Sequence, residues 1–296
     1  MRIGLMEMQL PLLLPSGGSA AEMVSKVGAL THAGLTGKVA DAGFQLIELG
    51  GDLLLFFPHF FAPQAVEELA RLKEERGLSY TLHLPLWSSE PSTPLQPVRE
   101  GSVRAAVDVI RATQPLGIET YVMHATGALA AEFTQMRIPE AGKQLLLSQF
   151  QNGAHQSLKT ILAETGLPSR RLAIETIEFP FERIMELAEE LDLSVCLDTG
   201  HILAGFSGPV TLPEALERIL PRLGEIHLHD CPWQGPERSI GYGKDHQALG
   251  KGDLDLPYLL RRLDEARWDG PVIFELTIPE ALESLKVLQA AGAELR

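Results

Sequence analysis

Ser194-Val-Cys-Leu-Asp-Thr-Gly-His201 passes directly from an apolar strand to two metal-ligating side chains. The first half has the small and aliphatic composition of a strand covered on both faces. The second half places a carboxylate and an imidazole where that strand ends. Buried strands exclude such groups, because an unpaired charge loses its hydration there. A bound metal offsets the loss. The same arrangement recurs along the chain. His83, His124, Glu175, Asp198, His201, His227, Asp245, His246 and Glu275 stand, nearly all, at or just past the C-terminal ends of apolar runs. One such residue is a coincidence. A series of them, run after run, reads as one site.

Outward from that stretch, short apolar runs alternate with amphipathic ones. The spacing predicts strands over 2–7, 44–49, 79–84, 119–124, 172–176, 194–198, 225–229 and 272–276. Helices are predicted over 63–76, 98–116, 139–164, 181–191, 213–220, 256–266 and 279–291. The first of these opens on Pro63 and stops at Gly77, the usual start and stop residues. The stretch 20–42 carries several glycines and reads as a split helix. Strands alternating with helices imply a parallel sheet. Eight such units in 296 residues match a closed (β/α)8 TIM barrel. An open doubly wound sheet is the competing arrangement, but no GxGxxG or P-loop follows any strand. Closure also gathers all strand ends at one mouth, which the distribution of ligands favours. No change of composition marks a linker, so 1–296 is read as a single domain.

The chain is 45% hydrophobic, carries a net charge of −14 and has a pI near 5.1. Nucleic-acid binders present a basic face, and only short pairs such as Arg170-Arg171 break the acidic balance. Nucleic acid is therefore not the expected partner. Cys196 and Cys231 are too few for a disulfide framework and read as buried thiols of a reducing compartment. No run reaches the roughly 18–20 apolar residues of a membrane span. Glu7 and Gln9 interrupt the N-terminal apolar run, which reads as a first strand and not as a signal peptide. A cytoplasmic protein is expected.

Side chains alternate along a strand. His83 thus shares a face with Thr81, His124 with Val122, Glu175 with Ala173, Asp198 with Cys196, and Glu275 with Ile273. His229 shares the face of His227, one layer nearer the mouth. Glu48 ends the second strand, either facing the mouth or serving a backbone N–H. His32, His59 and His155 are assigned no site. Mixed imidazole and carboxylate donors suit Zn2+ or Mn2+ better than Mg2+.

Four local patterns resemble the xylose isomerase-like TIM barrel superfamily, which includes endonuclease IV and small sugar isomerases and epimerases. They are His83-Leu-Pro, Asp198-Thr-Gly-His201, Ile226-His227-Leu-His229-Asp230 and His246-Gln-Ala-Leu-Gly250-Lys-Gly252. Glu175 and Phe274-Glu275 complete the match, which spans essentially the whole chain. The resemblance implies a central metal held by Glu175, Asp198, His227 and Glu275. On the endonuclease IV pattern, His83 and His124 hold a second metal with Glu175 bridging. His201, His246 and a neighbouring Asp hold a third. Here the sequence departs from the family. The family's Asp position, two before the His, is Lys244, and Asp245 adjoins the His instead, so Asp230 or His229 is an alternative ligand.

One to three divalent ions, Zn2+ or Mn2+, are therefore expected, with Glu175 and Glu275 as the catalytic carboxylates. The fuller ligand set points first to hydrolysis of a phosphodiester in a small molecule. The nucleotide loop of a cobamide is one such substrate, since the superfamily has a cobamide-remodelling branch. The alternative is isomerisation or epimerisation of a sugar or keto acid, which needs only the central metal. Cleavage of abasic-site DNA is the least favoured, because no basic loop is found. The loops 50–61 and 85–97 are apolar or Pro-rich, the latter with Trp87. They either pack on each other or on a second copy in a homodimer, or they form a lid over a bulky apolar substrate.

Overall fold

The computed structural model describes residues 1–9, 13, 19, 22, 27–232 and 245–293. Lys244 and part of the 20–42 stretch lie outside them. Eight parallel strands run β1 Arg2–Met6, β2 Leu46–Gly50, β3 Ser79–His83, β4 Tyr121–Met123, β5 Leu172–Glu175, β6 Ser194–Asp198, β7 Leu223–His227 and β8 Pro271–Phe274. They pair in chain order, and β8 returns to β1 through the register Arg2–Pro271 to Leu5–Phe274. The barrel is closed, as the alternation of runs predicts.

The helices are α1 His32–Asp41, α2 Pro63–Arg76, α3 Gln96–Thr113, α4 Ala128–Gln135, α5 Glu140–Thr165, α6 Phe181–Glu190, α7 Thr199–Ala204, α8 Leu212–Ile219, α9 Leu256–Glu265 and α10 Ile278–Ala290. Local chemistry sets their ends. Pro63 opens α2, and Gly77 closes it at φ 65, where a side chain is disfavoured. Capping boxes, Thr211 with Glu214 and Thr277 with Glu280, start α8 and α10. The run 98–116 ends early as a helix. Pro115 lacks a backbone N–H, and a 3-10 turn, Gln114–Leu116, follows α3.

Two layers of packing result. Leu5, Ile47, Leu82, Ile174, Leu197, Ile226 and Phe274 turn outward into the main core under the helices. Each such side chain contributes about 1.5–3 kcal/mol on burial. Val122, Ala173 and Cys196 form a separate cluster on the inward face. These are the residues that alternation pairs with His124, Glu175 and Asp198, so those three also point to the axis.

Three expectations shift. The β7 strand ends at His227 and not at 229, so His229 lies beyond the ladder. The β4 strand is only three residues long, and His124 follows it. Two short helices are not predicted from sequence: α7 carries too few turns to show a helical period, and α4, no shorter than α8, lacks the capping box that marks the start of α8. The α7 helix begins where it does because Asp198 caps it, accepting from the His201 N–H at 2.6 Å.

Candidate metal centre

The nine predicted ligands gather at the C-terminal mouth, and Glu175 on β5 is their hub. Its Oε2 lies 3.1 Å from His83 Nε2, 3.2 Å from His124 Nε2 and 3.6 Å from His227 Nδ1. Its Oε1 lies 2.9 Å from His201 Nδ1. Asp198 Oδ2 is 3.3 Å from His201 Nδ1 and 3.8 Å from His227 Nδ1. Glu275 follows β8 and places Oε1 3.3 Å from His227 Nδ1 and Oε2 3.2 Å from His246 Nε2. Asp245 Oδ2 lies 3.4 Å from His201 Nε2 and 3.1 Å from His246 Nδ1.

Among the described residues four sets of donor atoms converge, each set within 4.8 Å of one another. They are Glu175, Asp198 and His227; His83, His124 and Glu175; His201, His229, His246 and Glu275; and, on the other side of the His227 ring, Glu48, Glu225 and His227. The first two are the sets expected from sequence, with Glu275 beside His227 completing the first. The third brings in His229 where the expectation had Asp245.

Hydrogen bonding tests whether these residues fit a cation. His83 Nδ1 is 2.9 Å from the Leu84 carbonyl, which only accepts. A proton therefore sits on Nδ1, and Nε2 meets the Glu175 carboxylate at 3.1 Å either as a second N–H of a charged ring or as a lone pair of a neutral one. In both cases a positive charge, a proton or a metal ion, belongs between them. Glu175 Oε1, His201 Nδ1 and His227 Nδ1 are buried atoms without a hydrogen-bond partner of adequate geometry, and each belongs to the contacts around Glu175. Buried polar atoms are nearly always paired, so this cluster of orphans fits an ion. His229 differs. Its Nδ1 accepts from the backbone N–H of His246 at 2.8 Å, and its Nε2 faces Asp198 Oδ2 at 2.9 Å. Both nitrogens are engaged, which leaves it holding Asp198 and the 246 backbone in place. Asp230 is engaged too, accepting from the N–H groups of Cys231, Gly250 and Leu254. Of the two alternative ligands for the third set, Asp230 is thus turned to backbone N–H groups, whereas His229 Nε2, although it faces Asp198, also lies 3.8 Å from Glu275 Oε2.

Electrostatics point the same way. Burial opposes charge on Glu175, yet His124 and His227 outweigh it and hold its carboxyl well below the usual range. Glu275 behaves likewise, with burial opposed by His227 and His246. Burial alone lowers every imidazole here, but neighbouring carboxylates lift His83 and His124, carry His201 to about 9 and carry His246 to about 11, while Cys196 and then Glu275, Glu48 and Glu175 lift His227. Burial dominates at His229, which is lowered and neutral. A cluster that pulls protons onto its histidines is one that calls for positive charge, which a divalent ion on neutral imidazoles also supplies.

Glu48, which the sequence leaves between the mouth and a backbone N–H, is buried and sets Oε1 3.2 Å from His227 Nε2, on the far side of the ring from Glu175 and Asp198. Two other participants escaped the sequence reading. Glu225 lies two residues before His227 on β7, fully buried, with neither oxygen hydrogen-bonded. Burial first, and the charge of Glu48 second, push its carboxyl well above the ordinary range. The signal was the Glu-x-His spacing, which puts both on one face. Glu178 sits at φ 60 with Oε2 3.4 Å from His124 Nδ1. A turn residue carries no periodicity that would have marked it.

His32, to which the sequence assigns no site, has two close partners. It is buried, with Nε2 2.5 Å from Glu7 Oε1 and Nδ1 2.9 Å from the Phe60 carbonyl. His59 is exposed in its aromatic loop, and His155 pairs at the surface with Glu190 at 3.7 Å.

Above the ligands opens a cavity of about 730 Å3, walled in part by Met8, Leu86, Trp87, Ile177 and Phe206. The loops after β2 and β3 do pack on each other. Asp52 accepts from the backbone N–H groups of Leu86 and Trp87 at 3.2 Å, and the Phe56 and Trp87 rings meet edge-on at 6.1 Å. Among the described residues no helix is long and apolar enough to cross a membrane.

Comparison with known proteins agrees with this architecture. An uncharacterized protein of Methanocaldococcus jannaschii is 23% identical over 243 residues, covering 78% of this chain and 76% of that one. A D-tagatose 3-epimerase-like protein superposes with a TM-score of 0.70 at 19% identity, over 98% of this chain and 97% of its own. The D-psicose 3-epimerase of Clostridium cellulolyticum, solved with D-tagatose, gives a TM-score of 0.67 at 14% identity, over 99% and 100%. The sequence pattern that defines xylose isomerase-like TIM barrels matches residues 37–291, so the chain belongs to the xylose isomerase-like TIM barrel family.

Proposed function

We propose that this protein is a divalent-metal-dependent isomerase or epimerase of a small keto sugar or keto acid. The convergence of Glu175, Asp198, His227 and Glu275 on one buried centre carries the reading. The structural neighbours described as sugar epimerases support it. Nothing in the comparisons favours the phosphodiester hydrolase that the ligand count suggested first.

A divalent ion at this centre, Mn2+ or Zn2+ on its donor set, would polarise a hydroxyl–carbonyl pair. The protein's own part is proton transfer. One of Glu175 and Glu275 takes the proton from the carbon beside the carbonyl. The other returns a proton to that carbon from the opposite side, so configuration inverts and no net proton is lost. Their origin at the ends of different strands, Glu175 closing β5 and Glu275 just past β8, provides the two directions of approach. His201 contacts a substrate oxygen at the rim. The apolar walls of the mouth suit a substrate that carries an apolar substituent.

The test is deuterium exchange. With Mn2+ or Zn2+ in deuterated water, a ketohexose panel and aryl keto-glycosides should take up deuterium at the carbon beside the carbonyl. Absence of exchange on every member sinks the proposal. One observation favours a second reading: His83 with His124, and His201 with His246, offer ligands beyond a single ion. Two or three bound equivalents of metal, with phosphodiester cleavage and no exchange, would return the assignment to a hydrolase.

A further inference from the structure

The inner layers of a (β/α)8 barrel are normally filled by branched apolar side chains. Directly beneath the metal centre this barrel holds instead two carboxylates, Glu48 on β2 and Glu225 on β7, with Thr81 beside them on β3. All three are buried. Burying a carboxylate is costly, so one kept below the ligands requires a compensating role.

The geometry supplies that role for Glu48. His227 presents opposite edges of one ring to two environments. Its Nδ1 faces Glu175, Asp198 and Glu275, at 3.6, 3.8 and 3.3 Å. Its Nε2 faces Glu48 Oε1 at 3.2 Å, while Glu225 Oε1 is farther, at 4.0 Å. A neutral imidazole has one N–H. A carboxylate oxygen beside Nε2 holds that proton there and leaves the Nδ1 lone pair for an ion. With the proton on Nδ1 the ring could not ligate, and the centre would lose its only imidazole among Glu175, Asp198, His227 and Glu275. Glu48 clusters with Glu225 and His227, apart from the set of Glu175, Asp198 and His227.

We propose that Glu48 is a positioning residue that fixes the tautomer and orientation of His227 and thereby sets the affinity of the metal centre. The proposal rests on the reading of that centre as a metal site. Partners that orient a ligating histidine typically alter metal affinity by about 10- to 100-fold when removed.

The experiment measures Mn2+ and Zn2+ dissociation constants by chelator competition for the wild type, Glu48→Ala, Glu48→Gln and Glu225→Gln, with metal-free thermal melts as a check on folding. Glu48→Ala should weaken binding by about 10- to 100-fold. Glu48→Gln, whose amide oxygen still accepts from Nε2–H, should recover most of the loss. Glu225→Gln should bind as the wild type does. Nitrogen NMR of the Zn2+-loaded wild type should find the His227 proton on Nε2. Unchanged affinity in a folded Glu48→Ala variant, an equal loss in Glu225→Gln, or a proton on Nδ1 each overturns the proposal. If Glu48→Ala fails to fold, Glu48→Gln and the NMR assignment still decide it. Failure of the wild type itself to bind either ion would instead strike at the metal-site reading beneath it.

Discussion

His201 Nδ1 and Glu175 Oε1 stand 2.9 Å apart in the barrel mouth, yet neither has a hydrogen-bond partner of adequate geometry. Two buried polar atoms at contact distance but out of hydrogen-bonding line mark a place where a third group belongs. Glu175 meets His83, His124 and His227 as well, so it is the single residue on which the centre depends most.

Replacing Glu175 with Gln keeps the size of the side chain and removes its charge and basicity. Turnover should fall by about 100-fold or more, the range associated with general acid–base groups. The thermal midpoint should stay within a few degrees, because one source of electrostatic strain is relieved as another is introduced. A proton-exchange assay beside a melting curve checks both. Undiminished turnover would remove Glu175 from the chemistry.

Metal should stabilise the fold. At a free concentration 100 times its dissociation constant, Mn2+ or Zn2+ adds about 2.7 kcal/mol. A chelator should therefore lower the thermal midpoint, and re-addition of metal should restore it. A midpoint indifferent to both treatments would leave the orphaned atoms of the cluster without the ion they fit.

The buried pair His32 and Glu7 predicts a pH dependence distant from the metal ligands. Both ring nitrogens face acceptors, Glu7 Oε1 and the Phe60 carbonyl, so only the doubly protonated ring satisfies both. Burial lowers the imidazole, but the charge and hydrogen bond of Glu7 outweigh it, and the net shift is upward. A raised folded-state value means the contribution is complete below the unfolded value near 6.5 and is lost as pH rises through the folded one. Urea unfolding should show the advantage of wild type over His32→Leu shrinking with rising pH. In acid the variant should lose about 3–5 kcal/mol, the cost of stranding a buried partner. A pH-independent difference would contradict the charged pair.

Gly200 is required by close approach and not by backbone conformation. A Cβ there would lie 2.2 Å from Nδ1 and Cε1 of His229. Gly200→Ala should push His229 off Asp198, costing about 1–3 kcal/mol as overpacking does and weakening metal binding with it. Chemical unfolding and a metal titration on the same variant test this, and a neutral substitution would show that the ring can move aside.

Trp87 is half-exposed at the cavity rim and rests against Phe56. If the substrate carries an apolar group, Trp87→Ala should raise KM for an aryl-bearing substrate several-fold while leaving kcat nearly unchanged. KM for a plain ketose should not move. Equal effects on both would assign the ring to loop packing alone.

The barrel, its strands and most of the carboxylates and imidazoles that gather at its mouth were legible in the sequence because they obey local rules. Strand alternation fixes which side chains share a face, and Pro63, Gly77 and the Thr-x-x-Glu boxes fix helix ends. A carboxylate or imidazole at the end of an apolar run needs no tertiary information to be anomalous. What the tertiary structure alone decided is which of these groups meet, since that depends on distances between strands far apart in the chain. It engaged both nitrogens of His229 and both oxygens of Asp230, which sequence could not separate from free ligands. It set Glu48, from a strand 179 residues away, against the outer nitrogen of His227. A tautomer is chosen by whichever acceptor lies beside the ring, and only the closed barrel brings that acceptor there.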